Sequence, residues 1–200
     1  MSTVVEEYAV LPDESRVTPS SPIKLTLEQA NKLADGKPFE LINGRMIFKM
    51  PDYGHARAQS RLSKALGNYF DANPIGEVLT ELTHRLWPEN PHEGRLPDLS
   101  IILNEHLQEG ECYPTRAPDI AIEIISHDDP WTELFQKARL YFEKGSREVW
   151  FIDPFEQGVL VLTPTSRRWV WDTLVSELLP GFQVEVKNIF ARPVAPATTK

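Results

Sequence analysis

At 200 residues with 41% hydrophobic side chains, 17 prolines and 10 glycines, the chain is long enough to bury one sizeable core. The formal charge of -8 weighs against tight non-specific nucleic-acid binding, because phosphate affinity comes mainly from lysine and arginine, though it leaves room for a local basic patch. A lone cysteine, Cys112, excludes a disulfide framework, and no apolar run approaches the roughly 18 residues of a membrane span.

The opening MSTVVEEYAV lacks the charge and apolar core of a secretory signal, so a cytoplasmic protein is expected. Residues 1–22 read as a flexible N-terminal arm, 23–192 as one domain, and 193–200 as a frayed end. Thr26 followed by Gln29 forms a capping-box pattern for a short helix that stops at Gly36. Asn43-Gly44 between FELI and RMIF is a hairpin signal. From 54 to 70, Ala58, Leu62, Ala65, Leu66 and Tyr69 recur at helical spacing, with Arg57, Arg61 and Lys64 opposite. This is an amphipathic helix with a basic face.

Strands follow at 77–87, 96–103 and 119–125. Period-2 alternation sorts the last two cleanly. Leu99, Ile101 and Leu103 oppose Asp98, Ser100 and Ile102, while Ile120, Ile122 and Ile124 oppose Asp119, Ala121, Glu123 and Ile125. Each strand thus has an aliphatic face and a face bearing an acid. A helix from Pro130 to Lys144 ends at Gly145, EVWFID is a strand apolar enough to be central, and 158–163 with 168–173 reads as a further hairpin carrying Trp169 and Trp171. Trp150, Phe151, Trp169 and Trp171 are most simply packing residues. The order from residue 54 points to an α/β fold, a mixed sheet flanked by helices, rather than a sandwich.

Two acids stand out. If the strands at 96–103 and 119–125 pair antiparallel with Leu103 against Pro118, then Asp98 falls against Glu123, with Cβ atoms about 4.5–5.5 Å apart. Carboxylates that close repel unless a cation or proton lies between them. Asp119 repeats the Pro-Asp dipeptide but lies about 13 Å along its strand from Glu123, too far to share an ion; it reads as a solvated turn residue. Lys137 borders the apolar helix stripe, with Glu133 one turn earlier as a candidate ion-pair partner. His55, His84 and His92 lack ligand spacing and read as polar surface or loop residues, and a basic stripe such as 57/61/64 is more often a solvated face than a DNA contact.

The strings RLPDLSIIL, PDIAIEIIS, KARLYFEKG and EVWFIDP, in that order, with FELINGRMI and Gly54-His55 before them, resemble the Uma-two family of endonucleases within the PD-(D/E)xK restriction-endonuclease-like superfamily. The resemblance spans about residues 25–175. It implies a restriction-endonuclease-like core with N-terminal and C-terminal hairpin additions. It also implies a phosphodiesterase site in which Asp98 and Glu123, with the backbone carbonyl of Ile124, hold Mg²⁺ or Mn²⁺ and Lys137 attends the attacking water. The superfamily lysine normally stands at the position of Ile125; in this family it is displaced to the following helix. Glu40 matches an acid of the family's first hairpin, and Glu133 takes a place usually held by aspartate. Arg45, where the family often carries an acid, and His127-Asp128, in place of its Pro-Ser, depart from the pattern. His55, Arg57 and Arg61 are candidate contacts to a nucleic-acid backbone, DNA being the expected substrate. The rival readings are a nuclease-fold binding or regulatory module without turnover, and an interaction protein that self-associates as a homodimer through its arm and tryptophan-bearing hairpin.

Overall fold

The computed structural model describes residues 24–108, 110 and 112–192. The expected N-terminal arm and frayed C-terminus lie outside these residues. Helix α1 (Leu27–Ala34) begins with the capping box, Thr26 and Gln29 each bonding the other's backbone N–H. It ends where Asp35 and Gly36 turn left-handed. Strands β1 (Phe39–Ile42) and β2 (Arg45–Phe48) then pair across Asn43 and Gly44, both at positive φ, as a two-residue hairpin turn requires. Leu27, Ala30 and Ala34 of α1 cover Phe39 and Leu41 of this hairpin as a small separate cluster.

The body is a six-stranded sheet in the order β3-β4-β5-β6-β7-β8, formed by Gly76–Thr80, Leu99–Leu103, Ile120–Ile124, Glu148–Asp153, Gly158–Leu162 and Arg167–Val170. Its pairs are antiparallel except β5 with β6, which run parallel because α3 (Trp131–Glu143) carries the chain back over the sheet between them. The second hairpin is therefore an extension of the main sheet. A short pair, β9 (Thr173–Leu174) with β10 (Val184–Glu185), and α4 (Val186–Phe190) complete the structure. The sequence reading had no place for these last elements, which are too short to show a period. The strand expected over 77–87 ends at Thr80; Glu81 follows at positive φ, and the chain leaves the sheet there.

Both sheet faces are buried. Ile120, Ile122 and Ile124 pack with Leu99, Ile101, Trp150 and Ile152 under α2 (Tyr53–Ala72), whose Ala58, Leu62 and Leu66 are fully covered. Ala121 and Ile125 lie on the other face with Phe151 under Leu134, Ala138 and Tyr141 of α3. The face that carries the acids is thus itself roofed by a helix and a second core. Trp150 and Phe151 are fully buried, as packing residues should be, but Trp169 and Trp171 are stacked on each other at 5.1 Å and remain 38% and 51% exposed. Trp171 lies over Gly158, where any Cβ would meet its ring at 2.4 Å.

His84 is not a surface residue. Its ring is fully buried, with Nδ1 2.9 Å from the carbonyl of Arg116 and Nε2 2.9 Å from Oγ of Ser100. A neutral imidazole satisfies both, donating to the carbonyl and accepting from the hydroxyl. Burial lowers its pKa to about 4, the Arg116 carbonyl only partly offsetting this. Because the folded state refuses a proton that the unfolded chain accepts near pH 6.5, His84 contributes stability that is complete above that pH and is lost as pH falls toward 4. A loss of roughly 3 kcal/mol across that window is expected in urea denaturation, and the loss should be clearly smaller in His84→Gln.

Candidate active site

The register of β4 with β5 pairs Leu99 with Ile122 and Ile101 with Ile120. Continued by one residue it sets Asp98 opposite Glu123, the alignment that follows if Leu103 stands against Pro118. Both carboxylates sit almost fully buried at the floor of a cleft of about 680 Å³ between the β1–β2 hairpin and α3. Glu40, His55, Ile124, Glu133 and Lys137 line the same cleft, together with Lys49 and Arg95.

Each acid is fixed through one oxygen. Asp98 Oδ2 accepts the backbone N–H of Ile124 at 2.7 Å. Glu123 Oε1 accepts the Tyr141 hydroxyl at 2.7 Å and meets the Lys137 ammonium at 2.9 Å. The remaining oxygens, Asp98 Oδ1 and Glu123 Oε2, converge on the ammonium of Lys49 at 2.7 and 3.3 Å. His55 Nε2 stands 3.3 Å from Asp98 Oδ1, and Gln59 donates to the Asp98 carbonyl at 3.2 Å.

Lys137 turns inward from α3 and joins Glu123 to Glu40, with Nζ 2.9 Å from each. Its expected partner Glu133 remains exposed on the cleft rim instead, because two buried carboxylates hold the ammonium far more strongly than one solvated acid. Glu40 also accepts the Leu96 N–H at 3.2 Å, so the hairpin acid is a buried member of the cluster.

The electrostatics follow from these contacts. Burial would raise the Asp98 pKa, but the Lys49 charge and the His55 hydrogen bond outweigh it and hold the carboxyl far below the usual range. Glu40 is likewise lowered, with Lys137 and Lys49 overcoming desolvation. For both lysines burial opposes the charged form, yet the facing carboxylates dominate and raise their pKa values. Burial and the neighbouring Glu123 push the Tyr141 hydroxyl well above its ordinary value, so it stays a donor.

Two sequence-derived expectations change here, those for His55 and Asp119. His55 is buried against Asp98 in the first turn of α2 and is not a surface histidine; among the described residues its Nδ1 has no hydrogen-bond partner. Arg57 and Arg61 lie outside the acidic cleft, lining a separate groove of about 460 Å³ along α2 with Tyr53 and Lys64. Asp119 is fully buried rather than solvated, accepting the Leu103 N–H at 2.9 Å and lying 2.8 Å from His106 Nδ1. With Glu105 and His106 it forms a trio whose ligand atoms lie within 4.8 Å of one another. Arg116 lies 3.8 Å from Asp119 and Arg147 3.5 Å from Glu105, so these acids, like the pair in the cleft, already face cationic side chains.

Lys49 and Tyr141 are the site residues that sequence reasoning missed. A signal existed for Lys49: Glu40 pairs with Ile47, and alternation carried two residues further puts Lys49 on the same hairpin face. Tyr141 was hidden in the apolar stripe of α3, where only its hydroxyl distinguishes it from a core phenylalanine.

The mostly antiparallel sheet flanked by helices is the architecture of a solved nuclease. The crystal structure of "a putative nuclease belonging to DUF820" from Anabaena variabilis ATCC 29413 matches with a TM-score of 0.68 and 25% identity, covering 83% of this chain and 97% of that one. A cryo-EM structure of a DrdV–DNA complex aligns at a TM-score of only 0.31 and 11% identity, over 56% of this chain and 12% of that one, too slight a likeness to carry an argument. No protein with curated function matches the sequence. Residues 26–187 match the Uma2 family, described as "putative restriction endonuclease", and the chain belongs to that family. Among the described residues no helix is long and apolar enough to cross a membrane.

Proposed function

We propose that the protein is a divalent-metal-dependent endonuclease that hydrolyses DNA phosphodiesters in the cleft of Asp98 and Glu123. The observation that carries this reading is the convergence of Asp98 Oδ1 and Glu123 Oε2 on one cationic point, while the opposite oxygen of each acid is anchored. Hard carboxylate oxygens from the residue just before β4 and from β5 suit Mg²⁺ or Mn²⁺, and the backbone carbonyl of Ile124, a residue of the cleft lining, is a third candidate ligand. When bound, such an ion supplies Lewis acidity toward water and neutralises charge on the phosphate.

The protein's own residues divide the remaining work. Tyr141 and the Ile124 N–H hold the two acids in fixed orientation, which removes reorganisation at the moment of reaction. Lys137, held between Glu123 and Glu40, presents a charged ammonium at the cleft wall to orient the attacking water and offset charge on the phosphoryl oxygens. Glu40 keeps that ammonium in place. Glu133, on the rim, is an accessory acid whose carboxylate has no ion-pair partner among the described residues.

The Arg57, Arg61 and Lys64 groove starts on the same helix turn as His55 and offers a track for a nucleic-acid backbone. Replacing Arg57 and Arg61 together by alanine should weaken DNA binding similarly for all sequences and reduce the slope of log K against log salt by about 2, roughly one for each lost phosphate contact. An unchanged slope identifies the stripe as a solvated helix face.

Incubating the purified protein with supercoiled plasmid in Mn²⁺, Mg²⁺ or EDTA tests the function. Nicking or linearisation in either metal and none in EDTA is expected. Retained DNA affinity with no cleavage in any metal favours a binding module without turnover. Light scattering decides self-association independently.

A further inference from the structure

We infer that Lys49 is a built-in stand-in for the divalent ion, its ammonium holding the point between Asp98 and Glu123 until metal displaces it into the cleft. This rests on the metal-site reading above. Among the described residues Lys49 alone bridges the two acids: His55 reaches only Asp98, and Lys137 reaches Glu123 and Glu40. The oxygens it touches are the ones left over after the Ile124 N–H, Tyr141 and Lys137 have claimed the others.

Charge balance gives the exchange its logic. Glu40, Asp98 and Glu123 face two ammoniums, Lys49 and Lys137, so in this set of ion pairs the carboxylates outnumber the lysines by one. Exchanging Lys49 for a divalent ion makes the ion and Lys137 match the three carboxylates. Without the lysine, Asp98 Oδ1 and Glu123 Oε2 would face each other in the metal-free protein with only His55 beside the one and Lys137 on the far oxygen of the other, an unfavourable arrangement. Lys49 therefore lets the fold persist without metal, at the expense of metal affinity.

Its location permits the movement. Lys49 lies just beyond the end of β2, in the irregular link before Asp52 caps α2, and its neighbour Met50 is 92% exposed. A four-carbon stem anchored there reaches either the acids or the open cleft. Displaced, the ammonium stands where the substrate's phosphate arrives, so one residue neutralises the acids first and the phosphodiester afterwards.

Two measurements on the full chain without nucleic acid test this. In the wild-type protein, acetylation of lysines by a limiting acylating reagent, read by mass spectrometry, should modify Lys49 several-fold faster after Mg²⁺ is added, with no comparable rise at Lys137. Equal Lys49 labelling with and without Mg²⁺, while calorimetry shows an ion binding at a site lost in Glu123→Gln, overturns the stand-in role and leaves the metal site intact. In the second measurement, Lys49→Met should bind Mn²⁺ at least tenfold more tightly than wild type, and Lys49→Arg no more tightly. A purely structural lysine gives the opposite result, weaker binding in Lys49→Met, which also overturns the role. If Lys49→Met does not fold without metal, the wild-type labelling decides alone. No ion bound by wild type or by Lys49→Met overturns the metal site and the stand-in together.

Discussion

Glu123→Gln is expected to reduce metal-dependent DNA cleavage by at least about 10³-fold while leaving the protein folded, with Lys137→Ala close behind. The amide keeps the shape of Glu123 and can still accept from Tyr141, so packing around β5 survives. What it loses is one of the two anionic oxygens aimed at the shared cation point. Lys137→Ala acts differently, since it leaves Glu123 and Glu40 without the ammonium that joins them and takes charge from the cleft wall. Plasmid cleavage in Mn²⁺, with circular dichroism as a control for folding, checks both. Wild-type rates in both variants refute the assignment.

Asp98→Ala should show a larger effect on stability, about 3–5 kcal/mol, in addition to loss of cleavage. Asp98 is 1% exposed, and its carboxylate accepts the Ile124 N–H while countering the Lys49 ammonium. Truncation leaves a buried backbone donor unpaired and a cation facing Glu123 alone, and each orphaned group carries its own desolvation penalty. Urea denaturation followed by intrinsic tryptophan fluorescence measures this. The midpoint should fall without a change in m-value, because the surface exposed on unfolding is nearly the same. Asp98→Asn, which still accepts from Ile124, should recover part of the stability and none of the cleavage. A variant as stable as wild type contradicts the coupling of fold and site at this residue.

How much of this was legible in the sequence depended on whether the information was local. The capping box at Thr26, the Asn43-Gly44 turn and the alternation of β4 and β5 are local patterns, and each stands in the structure where the residues put it. Alternation put Asp98 and Glu123 on one sheet face, whereas the register that opposes them was only the simplest of several, because the long loop between the strands does not fix it. By contrast, Asp119 looked like a turn acid because nothing nearby in sequence announced His106 and the Leu103 N–H as its partners. His84 and His55 looked peripheral because their burial depends on strands and a helix far away in sequence. Lys49 and Glu40 belong to the first hairpin, and only the docking of that hairpin onto the cleft brings them to acids from β4 and β5. Neither the residue patterns that singled out Asp98, Glu123 and Lys137 nor the family resemblance pointed to the ammonium of Lys49 between the acids.

The most direct test of the site is a crystal soaked in Mn²⁺ and measured for anomalous scattering at the manganese edge. The account predicts one strong peak between Asp98 Oδ1 and Glu123 Oε2, at about 2.0–2.3 Å from each oxygen, within reach of the Lys137 side chain. A map with no peak between these two acids, or with manganese only at Glu105, His106 and Asp119, would contradict it.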